Sequence, residues 1–338
     1  MSDLNNAVTN VEAQALGAIR LYNTGGGGIG VGKYFEPERD QVNPGYARLF
    51  PVYMDTSKAS VFGVPDEFFF KLPETNGSGG VRKYNGADII RYTGEMLQKF
   101  PPMEHNIVIH TSTGGSGSVM GPSIVSELLA QGKSVIVFVI GGDDTKNFIE
   151  NSIATMESYG NIAKLRECGL ITRYLQNGLD GTIEEVDKAI QLDISCLAVL
   201  YSGQNKNLDD RDLHNWARFV DVTTYGPQVG ELSIHKQSLD LQPGSNLISV
   251  ATLNGDLNNT RLNHPVEFQR VGVPMTIVTK QEPLMYPLHF AVTDGYLDKV
   301  IRNLSRQLAD YNTKAEARVI RNELGNSNKP AQKNGIVF

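Results

Sequence analysis

Two glycine-rich segments, each between a short apolar run and a helix-patterned stretch, constrain this 338-residue chain more than any other feature. The first, Gly25-Gly26-Gly27-Gly28-Ile29-Gly30, follows an apolar run at 18–23 and fits G-x-G-x-x-G. The second is Thr113-Gly114-Gly115-Ser116-Gly117-Ser118, reached through an apolar run at 106–110. Residues without a Cβ let the backbone approach a phosphate closely, and a helix start supplies free N–H groups to hold it. The first loop alone suits a dinucleotide fold, with Asp55 as the ribose acid, or a plain tight turn. Two such loops, with hydroxyls at Thr113, Ser116 and Ser118, suit a triphosphate held from several directions. Neither loop has the lysine of a P-loop, which excludes a Walker-type NTPase.

The surrounding pattern places both loops at carboxyl ends of strands. Apolar runs at 18–23, 49–54, 68–72, 106–110, 134–140 and 170–175 read as strands. They alternate with helical periodicity from 31, over 87–100 and 119–129, and on to about 167. This alternation predicts an α/β, Rossmann-like parallel sheet with helices on both faces, where ligands bind beyond the carboxyl ends. A helix over 182–201, with Ile183, Val186, Ile190, Ile194 and Leu197 at spacings of three and four, reads as a central spine. Another helix is expected over 208–222. After Gly226-Pro227 strands are expected at 229–234, 247–251, 267–271, 275–278 and 289–292, forming a second, α+β domain. A long helix from 296 carries an apolar stripe of Leu297, Val300, Ile301, Leu304, Leu308 and Tyr311. The expected organisation is an N-terminal arm (1–17), a nucleotide domain (18–181), the central helix (182–206), a second domain (207–295) and the long helix with its tail (296–338).

Composition narrows the function class. A formal net charge of -6 argues against a general nucleic-acid binder. The opening residues have neither the basic nor the apolar part of a signal peptide, and the longest apolar run, 135–140, is too short to span a bilayer. Cys168 and Cys196 have no metal or redox spacing and read as buried thiols. A cytoplasmic protein is expected. The six histidines are scattered, so no protein metal site is assigned, and His110 reads as core.

Further motifs give the reading a name. Thr113–Ser118 resembles the glycine-rich signature of the tubulin/FtsZ superfamily, with Thr113 in place of its first glycine and Val119 of its last. Asn207-Leu208-Asp209-Asp210-Arg211-Asp212, just after the spine helix, resembles the N-x-D-x-x-D segment of that superfamily. Two acids three apart at a helix start share one face, and the helix dipole keeps them ionised. Within the superfamily the chain is most similar to the phage-encoded tubulins of large bacteriophages, through the stretches at 114–122, 135–157 and 215–221. The resemblance implies a tubulin-like fold and GTP/GDP as ligand, with Mg2+ held mainly by phosphates and water. It implies nucleotide contacts from Gly26, Gly27, Gly28, Asp55, Thr56, Gly79, Gly80, Thr113, Gly114, Gly115, Ser116, Gly117, Ser118, Asn177 and Asp187. Gly30 stands where the family often has an asparagine.

The resemblance also implies a GTPase whose catalytic acids, Asp209 and Asp212, enter the nucleotide pocket of the next subunit. The partner is then another copy of the chain, in a head-to-tail homopolymer, with no membrane contact. The implied setting is an infected bacterium's cytoplasm, and the implied role is positioning or transporting phage DNA or capsids. Alternatives are a plasmid-partition or cell-division tubulin homologue, an NAD-dependent oxidoreductase, and a filament that binds nucleotide without hydrolysing it. The family's tail is typically acidic. Residues 299–333 here hold eight Lys/Arg against three acids, so the apolar tip Ile336-Val337-Phe338 is the expected anchor on a neighbour.

Overall fold

The computed structural model describes residues 17–38, 45–241, 243–254, 262, 264–275 and 287–316. The expected N-terminal arm up to residue 16, the tail tip at 336–338 and most of the strand at 275–278 lie outside the described residues.

The strands of the first half are β1 (Ala18–Thr24), β2 (Arg48–Asp55), β3 (Phe69–Lys71), β4 (His105–Thr111), β5 (Ile136–Gly141) and β6 (Leu170–Gln176). Between them run helices α1 (Gly25–Gly32), α2 (Arg82–Lys99), α3 (Gly117–Ala130) and α4 (Lys146–Leu165). All six strands are parallel, in the order β3-β2-β1-β4-β5-β6. β4 and β5 are buried along almost their whole length, which is why they read as continuous apolar runs.

The spine helix is α5 (Ile183–Leu200), capped by Thr182 and Glu185 in a reciprocal capping box. The chain continues through β7 (Asn205–Lys206), α6 (Asp210–Ala217), β8 (Val229–Lys236), β9 (Leu247–Leu253), β10 (Phe268–Pro274), β11 (Leu288–Thr293) and α7 (Tyr296–Glu316). β6 pairs in parallel with β8, so these strands extend the same sheet in the order β6-β8-β11-β9-β10-β7. The extension is mixed: β11 is antiparallel to both β8 and β9, and β10 is parallel to β9.

Several expected boundaries shift. The helix expected from Val31 begins at Gly25, because the glycines themselves wind into its first turns. The helix expected over 208–222 ends at Ala217, where Arg218 leaves the helical region and a 3-10 turn follows at Phe219–Asp221. Two residues of β7, too short to carry a period, had no sequence signal.

Two apolar layers hold the sheet. On one face α5 packs Val186, Ile190, Ile194 and Leu197 with the sheet residues Leu21, Ile107, Ile109 and Phe138. Trp216 joins this layer fully buried, and its indole N–H donates to the Phe290 carbonyl at 3.1 Å. On the other face α2, α3, α4 and the Val300–Leu304 side of α7 cover Tyr22, Val108, Val137 and Val139. Burying one such aromatic ring stabilises the fold by roughly 4–6 kcal/mol on area grounds.

Candidate functional site

β1 and β4 are neighbours in register, so the loops that leave their carboxyl ends lie side by side. A Cβ on Gly25 would stand 2.8 Å from the Gly117 nitrogen, and one on Gly28 would stand 2.3 Å from the Ile109 carbonyl oxygen. Glycine is therefore required where α1 settles on β4 and where the two loops touch. Gly25 also holds φ +68, in the left-handed region.

The other segments converge on Ser116. Its hydroxyl lies 2.6 Å from the Thr56 hydroxyl and 3.0 Å from that of Ser78. Asn85 donates to Ser78 at 2.8 Å. Asp55 is buried and accepts from the Thr56 N–H at 2.7 Å. Burial pushes its carboxyl up, while bonds from Thr56, Ser116 and Ser57 pull it back. Gly80 is tied in through its carbonyl, which accepts from Asn147 at 2.6 Å and Asn151 at 2.8 Å. Asn151 also donates to the Thr113 carbonyl at 2.8 Å, so one amide pins two loops. A Cβ on Gly142 would lie 3.4 Å from Thr113, and the Asn177 N–H donates to the Gly141 carbonyl at 3.1 Å. Asn177 Oδ1 is shielded from solvent and has no hydrogen-bond partner. Asp187 is half-buried on α5, two turns or less from that helix's start, and burial pushes its carboxyl up.

Helix caps set α1, α2 and α3 apart from α4, α5 and α6. α4, α5 and α6 are capped by the side chains of Thr145, Thr182 and Asp209. α1, α2 and α3 have no side-chain cap, and all three start at the loops just described. Their first N–H groups are left for another acceptor, and their positive dipole ends add in the same direction. The Thr24 hydroxyl, at the start of α1, is buried without a partner. Uncapped helix starts, hydroxyls and close glycines make an anion cradle suited to phosphates.

The likeness to the family already took in Ser78 and Arg82, within the loop at 77–82, but the sequence did not single out Asn151 or Asn85. A signal was available for Asn151: with Ser152 and Thr155 it makes a buried polar strip on α4, and such residues must find partners inside. Arg82 donates to the Ser118 carbonyl and the Thr155 hydroxyl, both at 2.5 Å, which fixes the start of α3 from outside.

His110 sits beneath the second loop as a scaffold. Its Nε2 accepts from the Tyr159 hydroxyl at 2.5 Å, and its Nδ1–H donates to the Thr111 carbonyl at 3.1 Å. Full burial lowers the imidazole from its ordinary 6.5 to about 4. The unfolded chain takes up this proton before the folded one does. The stabilisation is therefore complete above pH 6.5 and is lost as pH falls from there towards 4. Urea unfolding at pH 5 is expected to show a stability about 2 kcal/mol below that at pH 7 from this residue. The drop should shrink in His110→Phe, and an unchanged drop would remove His110 as its source.

Asp209 and Asp212 lie elsewhere. Asp209 caps α6, accepting from the Asp212 N–H at 2.8 Å, and Asp212 returns the bond to the Asp209 N–H at 3.4 Å. Arg270 donates to Asp212 at 2.6 Å. Their place follows from α5, which crosses the sheet from the loop end to the far end. Gly17 donates to the Ser202 carbonyl at 3.0 Å and Ala47 to the Ala198 carbonyl at 2.7 Å, so α5 ends at the starts of β1 and β2. The Tyr201 ring stacks on His105, the first residue of β4, with centroids 3.9 Å apart. His105 lies 3.8 Å from Asp210, the neighbour of Asp209. The glycine loops leave the other end of β4, about 20 Å away at about 3.3 Å per residue. The candidate catalytic acids and the candidate phosphate cradle are thus at opposite ends of the parallel strands.

No protein-family model matches the chain. It is 27% identical over 290 residues to a phage tubulin-like protein of Pseudomonas phage PhiPA3, covering 85% of this chain and 88% of that one. A phage tubulin-like protein of Pseudomonas phage phiKZ is 26% identical over 70% of this chain and 74% of its own. Among solved structures, the fold matches the phage tubulin PhuZ with GDP at a TM-score of 0.82 and 22% identity, over 95% of this chain and 99% of that one. A protofilament of TubZ from bacteriophage PhiKZ matches at a TM-score of 0.81 and 23% identity, with the same coverage.

Proposed function

Since the chain has the tubulin/FtsZ-superfamily fold and its similarity is to phage tubulins, we propose that it binds and hydrolyses GTP within a head-to-tail filament of its own copies. The observation that carries this reading is the separation of the two half-sites. A cradle at one end of the strands and a rigid acid pair at the other meet only when two copies stack end to end, a heterologous contact that propagates into a filament.

In this reading the uncapped starts of α1, α2 and α3, with Thr56, Ser78 and Ser116, hold the phosphates. Asn177 and Asp187 face the base, where a carboxylate accepts both N1–H and N2–H of guanine and adenine offers no such pair. Mg2+, when bound, would be held mainly by phosphates and water and would supply charge neutralisation at the phosphates. Asp209 and Asp212 of the next subunit polarise the attacking water. The capping box and Arg270 fix the pair's orientation, and Asp209 is exposed. The setting that follows is the cytoplasm of an infected bacterium, with phage DNA or capsids as cargo.

Two convergent loops disfavour the NAD-dependent reading, which needs one. The test measures GTP turnover per subunit against protein concentration while light scattering reports assembly. Turnover is expected to rise with scattering, and Asp209→Ala is expected to lose turnover while keeping GTP binding. Turnover that is constant per subunit below and above the onset of scattering would sink hydrolysis between subunits.

A further inference from the structure

The end of the molecule opposite the glycine loops holds a second cluster, which neither the nucleotide cradle nor the acid pair uses. Glu104 precedes β4, His105 opens it, and Asp210 is the first residue of α6. One ligand atom from each lies within 4.8 Å of the other two. Glu104 and Asp210 are exposed, whereas His105 is 2% exposed. Its Nε2 is buried and has no hydrogen-bond partner, although it lies 3.8 Å from Asp210 Oδ1. That distance is too long for a hydrogen bond.

A buried imidazole nitrogen left unsatisfied carries a desolvation cost of about 1–3 kcal/mol, so its retention beside two carboxylates calls for a partner. We propose that Glu104, His105 and Asp210 bind a divalent transition-metal cation, with Zn2+ the best-fitting ion. An imidazole and two carboxylates form the mixed nitrogen–oxygen set that Zn2+ accepts, and the hard cation Mg2+ prefers oxygen alone. Tetrahedral Zn2+ ligands stand about 3.4 Å apart, so closing the cluster needs side-chain adjustment of roughly an ångström, available to the two exposed carboxylates. The Tyr201 ring stacked on His105 holds the imidazole in place for them.

Two neighbours bear on the charge. Burial pushes the Glu104 carboxyl up, the adjacent Asp210 pushes it further, and Lys133 offsets this in part. His214, four residues after Asp210, lies on the same face of α6 and brings a second imidazole near the cluster. A bound cation would relieve the carboxylate crowding and tie α6 to the start of β4. It would do so one residue from Asp209.

The test is calorimetric titration of the full chain with ZnCl2 in a non-chelating buffer, repeated with MgCl2. One Zn2+ site per chain is expected, at least tenfold tighter than Mg2+. Glu104→Gln and Asp210→Asn change only exposed side chains and should each weaken Zn2+ at least tenfold while thermal melts stay cooperative. His105→Asn should abolish the site, but it also removes the Tyr201 stack, so the carboxylate variants decide. No Zn2+ binding, or affinity unchanged in both carboxylate variants, would overturn the assignment. So would equal affinity for Mg2+.

Discussion

Mixing two inactive variants is expected to restore GTP turnover. Asp212→Asn leaves the glycine loops untouched and removes one of the two acids at the other end of the strands. Loss of a group that activates water costs about 10²–10⁴ in rate. The same change removes a cap partner and an Arg270 ion pair, a combined stability cost of about 1–2 kcal/mol, small enough for the fold to survive. Gly115→Val does the reverse. Even the Cβ of residue 115 would stand 2.5 Å from the Ser78 side chain and 2.7 Å from the Val81 nitrogen, so the loops separate while α6 is undisturbed. Each variant alone should turn over GTP at under a hundredth of the native rate. In a one-to-one mixture, about a quarter of randomly ordered head-to-tail junctions join an intact cradle to an intact acid pair. Turnover should then rise at least tenfold above either variant. Hydrolysis completed within one subunit predicts only the average of two dead proteins, and that result would refute the shared site.

Gly28→Ala is expected to be the most damaging single methyl in the first loop. Its Cβ would lie 2.3 Å from the Ile109 carbonyl oxygen and 3.0 Å from the His110 Cα, both backbone atoms of β4 that cannot rotate away. α1 must lift from the sheet, at a cost of about 3 kcal/mol or more, and the cradle opens with it. Nucleotide affinity should fall more than tenfold, and the thermal midpoint should fall too. Gly30→Ala is the matched control. A Cβ there meets nothing within 4 Å, so the change should be neutral or stabilising by about 0.5–1 kcal/mol in a helical turn. Equal effects of the two substitutions on melting and nucleotide binding would show that α1 does not seat on β4 as described.

That contrast marks a limit of reading motifs. G-x-G-x-x-G treats Gly25, Gly27 and Gly30 as the special positions. The packing instead requires Gly25 and Gly28, would set a Cβ on Gly27 2.2 Å from the Thr111 methyl, and leaves Gly30 free. A spacing records where glycine is tolerated, and only the neighbouring strand reveals where a side chain is impossible. The parallel strands were legible because burial on both faces makes them continuous apolar runs, as in β4 and β5. The spine helix was legible because its period and its Thr182 cap are both local. The short β7 and the early start of α1 were not, since the first lacks a period and the second is built from glycines that favour no state on their own.

The sequence by itself determined most of the elements, the two glycine-rich loops and the acid pair, because each rests on residues within a few positions of one another. It also held the tubulin-like likeness, carried by short motifs in a fixed order. Tertiary structure decided what those parts do together. It set the loops and the acids about 20 Å apart by laying α5 across the sheet. It left α1, α2 and α3 uncapped at one place, and brought Asn151 to pin two loops from a helix of its own. It also joined Glu104 and His105 to Asp210, more than a hundred positions later in the chain. The physical reason is the same in each case. Hydrogen-bond partners and charges chosen across the sheet are fixed by packing between distant segments, and no local pattern of residue types encodes them.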